Sequence, residues 1–203
     1  MLPPVPGLEF HPKIHRYRYK NRWLLTSVTK VANRTTPEQA KQFERTRHIW
    51  EPRGKTIHSF CEALLLGQQK LSGEYEAWTQ ALEDCWLFQG CEPLAVEYTL
   101  CDYRKGIAGT FDFLLKTSSG KIVLGDLKTV GNHNSLKRRK PATAQLGGYL
   151  SMLIDHHPTV TVDWCYTVVS GPEECKVLQN TPDECLAAWV DAWDVYKLEN
   201  YPF

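Results

Sequence analysis

From Ile107 to Lys116 apolar and polar residues alternate, and they alternate again from Lys121 to Lys128, with Thr117-Ser118-Ser119-Gly120 between. Period two flanking turn-forming residues predicts a β-hairpin. A three-residue loop of Ser118, Ser119 and Gly120, with Gly120 left-handed, pairs Thr117 with Lys121. Extended along the strands, that register sets Asp112 opposite Asp126. Directly opposed side chains have Cβ atoms roughly 4.5–5.5 Å apart, and like charges so placed repel, so something positive is expected between them. Lys128, two residues past Asp126, shares its face. Upstream, Leu94 to Leu100 reads as a strand with Glu97 on the face opposite Val96, Tyr98 and Leu100. A turn over Cys101 to Gly106 joins it to the hairpin as a three-stranded meander. Val160 to Val169 reads as a buried central strand, with Cys175 to Leu178 as a weaker partner.

Helical spacing marks other stretches. Pro37 to Trp50 is a helix rich in Lys and Arg, and Pro52 or the residues just after it begin another that runs through Leu66 and ends at Gly67. Its stripe is Ile57, Cys61, Leu64 and Leu65, with His58 and Glu62 sharing the neighbouring face. A histidine beside a buried stripe fits a structural role as well as a ligand. Glu74 to Phe88 is a helix with Trp78, Leu82 and Cys85 or Trp86 inward. Pro141 to Ile154 is another, on which Gln145 and Tyr149 share a face. Thr181-Pro182-Asp183-Glu184 is a capping box opening a last helix with Leu186, Trp189, Val190, Trp193 and Tyr196 inward. Ser27 to Asn33 is a short helical or turn segment. Residues 1–12, with four prolines, form an extended lead-in, and His15–Tyr19 with Arg22–Leu25 form a small hairpin. Its alternation of aromatic and basic residues suits base stacking, and equally a half-buried hairpin. Gly131 to Lys140 is polar, basic and without apolar period, and reads as a mobile loop.

With 203 residues, 42% of them hydrophobic, the chain can bury a full core and is read as one domain over 1–203. Within it, 1–30 is the extended segment and hairpin, 94–170 the core and 181–198 the last helix. A net charge of +1 gives no global attraction for nucleic acid, but the charge is unevenly spread. Acidic residues dominate after position 170, and basic clusters lie at Lys13–Arg22, Lys41–Lys55 and Lys137–Lys140. Seven cysteines without a Cys-x-x-Cys pair argue for reduced thiols rather than a disulfide framework or a zinc ribbon. Met1–Phe10 has no secretory signal pattern, and no run approaches the ~20 apolar residues of a membrane span. A soluble cytoplasmic protein is expected.

Facing carboxylates, a lysine two residues on and a glutamate one strand earlier are the donor set of a hard cation such as Mg²⁺ or Mn²⁺, with the Leu127 carbonyl as a further ligand. Gly109-Thr110-Phe111-Asp112 followed by Gly125-Asp126-Leu127-Lys128-Thr129 resembles the core signature of the PD-(D/E)xK nuclease superfamily, in its RecB-like exonuclease branch. Arg53-Gly54-Lys55-Thr56-Ile57-His58 is similar to that branch's upstream histidine motif, Glu97 to its preceding acid, and Gln145-x-x-x-Tyr149 to the motif on its following helix. Thr110-Phe111 stands where the eponymous proline falls.

The resemblance implies an α/β fold with a restriction-endonuclease-like core, a central mixed β-sheet flanked by helices on both faces. It implies one or two Mg²⁺ or Mn²⁺ ions held by His58, Glu97, Asp112, Asp126 and Leu127. Asp112, Asp126, Lys128, Glu97, Gln145 and Tyr149 form the catalytic set. Arg16, Arg18, Arg53, Thr129, Lys137, Arg138, Arg139 and Lys140 are expected to guide DNA, as single strands or duplex ends. Hydrolysis at DNA ends in recombination, repair or phage DNA processing follows, in the cytoplasm of a bacterial or phage-infected cell, with a recombination or replication protein as partner; the alternatives are a structure-specific or nicking endonuclease of the same fold and a catalytically silent nucleic-acid-binding module. Cys165, Cys175 and Cys185 lack the tight spacing of the iron–sulfur relatives, so no cluster is expected.

Overall fold

A computed structural model describes residues 1–200. In chain order its elements are β1 (Leu8–His11), β2 (Arg16–Tyr19), β3 (Arg22–Trp23), β4 (Thr26–Ser27), α1 (Val28–Ala32), α2 (Pro37–Arg45), α3 (Arg47–Leu65) and α4 (Glu76–Glu83). They continue with β5 (Glu92–Asp102), β6 (Ile107–Lys116), β7 (Ile122–Thr129), α5 (His133–Arg138), α6 (Thr143–His156), β8 (Trp164–Gly171), β9 (Glu174–Asn180) and α7 (Pro182–Asn200).

The main sheet runs β4-β6-β7-β8-β9, with β5 on the other edge of β6. It is mixed: β4 is parallel to β6 and β7 to β8, while the other pairings are antiparallel. Helices cover both faces. One apolar layer joins Val28, Leu114, Leu124, Leu146, Leu153 and Trp189 from α1, α6 and α7 to the sheet. The other joins Ile57, Phe60, Leu82, Phe113, Val123 and Val168 from α3 and α4. Fully buried side chains of this kind contribute roughly 1.5–3 kcal/mol each. The approach of α7 to α6 depends on Gly147, where a Cβ would stand 1.8 Å from the Cys185 carbonyl oxygen.

The β6–β7 loop has the expected chemistry. Thr117 N–H donates to the Lys121 carbonyl, Gly120 N–H to the Thr117 carbonyl, and Gly120 has φ of +81°. The register therefore pairs Lys116 with Ile122 and Phe113 with Gly125. Past that pair the strands part. On the same edge β4 occupies Ile107 and Ala108, so Gly109 to Asp112 lies between two neighbours and pairs across that edge with neither. This split is the crevice around which the chemistry-bearing residues gather.

Several expectations are corrected. Leu8–His11 is a strand pairing with β2, because the prolines flank it rather than interrupt it. The helix break falls at Thr46, whose hydroxyl donates to the Gln42 and Phe43 carbonyls, and α3 continues through Pro52. Glu74 to Phe88 is not continuous: α4 covers Glu76–Glu83, 3₁₀ turns flank it, and Trp86 is exposed. The segment read as a mobile loop contains α5, capped by the Asn132 side chain and anchored by buried Leu136. The central strand begins at Trp164 rather than Val160, and Val190 faces outward. The Thr181–Glu184 capping box is present, Glu184 N–H donating to Thr181 Oγ1 and Thr181 N–H to the Glu184 carboxylate. All seven cysteines are free thiols.

Candidate active site

His58 is carried by α3, whose neighbours Ile57, Phe60 and Cys61 are buried against the sheet and fix the helix's rotation. The ring Nδ1 then lies 2.8 Å from Asp112 Oδ1 and 3.8 Å from Glu97 Oε1. Ligand atoms of His58, Glu97 and Asp112 all fall within 4.8 Å of one another. Glu97 reaches this position from a φ of +45°, a left-handed conformation that costs a non-glycine residue on the order of 1 kcal/mol. It lies in β5 between the paired positions Val96↔Phe113 and Tyr98↔Phe111, and so falls opposite Asp112.

Asp126 stands apart from that trio, turned toward α6. Gln145 Nε2 donates to its Oδ1 at 2.7 Å, and Lys128 Nζ lies 2.8 Å from its Oδ2. That second approach balances charge without a well-aligned hydrogen bond, and Oδ2 is otherwise buried and unpartnered. The two aspartates are thus not the opposed ladder pair of the sequence register. Past Gly125 each has its own counter-charge, His58 for Asp112 and Lys128 for Asp126. The Leu127 backbone is at Asp112 too, but through its N–H, which donates to Asp112 Oδ2, and not through the expected carbonyl.

Gln145 is the hub. Its Nε2 also donates to Tyr149 Oη at 2.9 Å, and its Oε1 accepts from Lys128 Nζ at 3.1 Å and Asn33 Nδ2 at 3.2 Å. Gln145 and Tyr149 are buried and hold Lys128 and Asp126 in place from beneath.

The electrostatics follow from burial and pairing. Burial opposes a charge on the His58 ring, yet Asp112 and then Glu97 outweigh it and push its pKa up to about 10. Burial raises Asp126, and Lys128 only partly offsets this. Burial raises Glu97 as well, with His58 opposing. For Asp112 the desolvation is overcome by His58, Lys128 and the Leu127 amide, and its pKa is lowered. Burial and the neighbouring Asp126 charge raise the Tyr149 phenol well above its ordinary value, so it stays protonated.

One cleft is lined by His58, Glu97, Asp112, Asp126, Lys128, Gln145 and Tyr149. Thr129 and Arg53 line an adjoining lobe with Arg139 and Lys128. Arg138, Arg139 and Lys140 border a third hollow beside Asn33. Arg16, Arg18 and Lys137 are not brought to the cleft. Arg18 is bound to Glu9 at 2.7 Å, and Arg16 lies over the Trp23 ring. The alternate face of β2 instead sends Tyr17 into the cleft, with Phe10 and His15. Trp50, missed in the sequence, is there because α3 begins earlier than its Pro52 suggests.

The residues fit a hard divalent cation: two carboxylates and an imidazole within reach of one point, and a third carboxylate oxygen buried and incompletely satisfied nearby.

The chain matches no protein-family model, and no curated protein matches it. The crystal structure of SSO0001 is similar over 87% of this chain and 78% of that one, at 17% identity and a TM-score of 0.44. A likeness that loose carries no argument. Among the described residues no helix is long and apolar enough to cross a membrane.

Proposed function

We propose that the protein is a divalent-metal-dependent deoxyribonuclease that hydrolyses phosphodiester bonds at DNA ends. The observation that carries this reading is the convergence of His58, Glu97 and Asp112 beside a buried Asp126–Lys128 pair locked by Gln145. His58, Glu97 and Asp112 would hold Mg²⁺ or Mn²⁺, with Asp126 as the next donor. A bound ion of this class lowers the pKa of a coordinated water and offsets charge developing at phosphorus.

The chain's own groups do the rest. Lys128, a fifth exposed at its side chain, presents ammonium protons to an attacking water or a non-bridging phosphate oxygen. Gln145 accepts one of those protons and so aims the ammonium, while Tyr149 sets the Gln145 amide from below. Phe10, Tyr17 and Trp50 give the cleft apolar ring surface for unstacked bases. Action at ends rather than within strands rests on the RecB-like resemblance, as do a cytoplasmic site and a recombination or replication partner.

The test is incubation of the purified protein with end-labelled single-stranded, duplex and covalently closed circular DNA, with Mg²⁺, Mn²⁺ or chelator. Metal-dependent loss of linear DNA with circles intact is expected, falling about 10²-fold or more in Lys128→Ala and Asp126→Ala. No metal-dependent cleavage, or cleavage undiminished in both variants, sinks the enzyme. Degraded circles remove only the end requirement.

A further inference from the structure

The cleft is electrically divided. Its acidic lobe is lined by Glu51, Glu62, Glu97, Asp112 and Asp126, which outnumber Lys55 and His58 there. Across Lys128, which belongs to both, the second lobe is lined by Arg53, Arg139, Thr35, Gln39 and Thr129, with Arg34, paired to Glu199, at its side, and no acidic side chain lines it. Its volume of about 910 Å³ is within the ~300–1,000 Å³ of small-ligand sites.

At its wall lies an unsatisfied donor. Arg53 Nε is buried and has no hydrogen-bond partner among the described residues. Buried donors in folded proteins are nearly always paired, and one left without a partner is unfavourable. The guanidinium is also pressed against the chain: a Cβ at Gly131 would lie 3.2 Å from its terminal nitrogen. A planar fork of donors with threonine hydroxyls and a glutamine amide beside it matches a tetrahedral oxyanion better than a carboxylate, since its several oxygens can be met from different sides.

We propose that this lobe is a phosphate-binding subsite centred on Arg53. Under the nuclease reading, on which its purpose rests, it takes a phosphate of the same strand whose scissile bond lies at the acidic lobe. That phosphate belongs either to an internucleotide linkage or to a terminal monoester. Binding here supplies the attraction that the acidic lobe withholds from a polyanion until its own charge is offset.

The test is fluorescence anisotropy of labelled oligothymidylate on the full chain in chelator, carrying a 5′-phosphate or a 5′-hydroxyl, with inorganic phosphate as competitor. Parent, Arg53→Met, Arg53→Lys and Arg16→Met are compared, with a thermal melt of each. Arg53→Met should weaken binding at least about 10-fold and reduce the salt slope by ~0.7, as one lost contact to a single strand does. Arg53→Lys should fall between, Arg16→Met should match the parent, and no melt should drop by more than about 3 °C, since a buried donor without a partner is being removed. A preference for the 5′-phosphate assigns the subsite to a terminal monoester, and equal binding assigns it to an internucleotide phosphate. Unchanged binding in Arg53→Met, or equal losses in Arg53→Met and Arg16→Met, overturns the subsite. Should Arg53→Met unfold, Arg139→Met on the same lobe decides by the same readout. Arg53-dependent binding in a protein that never cleaves DNA would leave the subsite standing while the nuclease fails.

Discussion

Replacing Lys128 by methionine isolates what the buried ion pair does. Asp126 is 2% exposed, and among the described residues Lys128 Nζ at 2.8 Å is its one ion-pair partner. Removing that cation leaves a buried carboxylate with a single Gln145 bond, and breaking such a pair from one side costs about 3–5 kcal/mol. For a chain of this size each kcal/mol moves Tm by about 2–4 °C, so a drop of about 10 °C is expected. The reverse change, Asp126→Asn, should cost under about 1 kcal/mol, because Lys128 keeps its bond to Gln145 Oε1 and reaches solvent. The double variant should melt close to Asp126→Asn. The pH dependence has a definite sign. Burial holds the Asp126 pKa above its ordinary 3.8, so its contribution to stability is complete below that value and is lost as pH rises through the folded pKa. Loss of Lys128 lifts the folded pKa further, and the Lys128→Met deficit should widen from pH 4 toward pH 8. Thermal melts of metal-free protein across that range check it. Equal losses from the two single variants, or a deficit that narrows with rising pH, would refute the reasoning.

Two further substitutions probe the same crevice. Glu97→Gly relieves a left-handed backbone and removes a carboxylate whose burial raises its pKa. Tm should hold or rise by a few degrees while calorimetric affinity for Mn²⁺ falls at least about 10-fold, and a Tm several degrees lower would show the glutamate to be structural. Gly125→Ala would set a Cβ 1.7 Å from Phe113 Cε2, in the ring that lies across its paired strand position. Overpacking there should cost about 3 kcal/mol and lower the urea midpoint, with partial recovery in Gly125→Ala combined with Phe113→Leu, and an unchanged midpoint would count against it.

What could be read from the sequence was whatever local chemistry decides. Ser118, Ser119 and Gly120 set the hairpin loop, and that loop alone set the register as far as Phe113 and Gly125. The parting of the strands beyond was hidden, because it depends on two-residue β4 taking the same edge of β6 at Ile107, a contact spanning some eighty positions. Helix α5 was hidden for a different reason: Asn132 caps it and one leucine anchors it, too few apolar positions to make a period. The candidate residues His58, Glu97, Asp112, Asp126, Lys128, Gln145 and Tyr149 were singled out through the resemblance, and they do share one cleft. Their division of labour was not. A facing aspartate pair pointed to one shared counter-charge, whereas the fold gives each its own. The acid-free lobe at Arg53 depends on Gln39 and Thr35 meeting Arg139, which no local spacing reveals.

Three unfavourable features lie along the two adjoining lobes: a left-handed glutamate and a buried aspartate with an incompletely satisfied oxygen in one, and a buried guanidinium nitrogen without a partner among the described residues in the other. Each is removable by one substitution that leaves the surrounding packing alone, as glycine at 97, asparagine at 126 and methionine at 53 would do. A scaffold under selection only for folding has no use for any of them, and natural chains tend to concentrate such departures where ligands bind. The signs of the groups add a constraint that strain alone does not. Carboxylates collect on one side of Lys128, and Arg53 and Arg139 stand on the other in a lobe that no acidic side chain lines, so a single ligand spanning both must itself carry separated negative charge and accept a cation at one end. A polyphosphodiester with a metal at one linkage satisfies this, whereas a neutral ligand or a lone cation accounts for only half of the crevice.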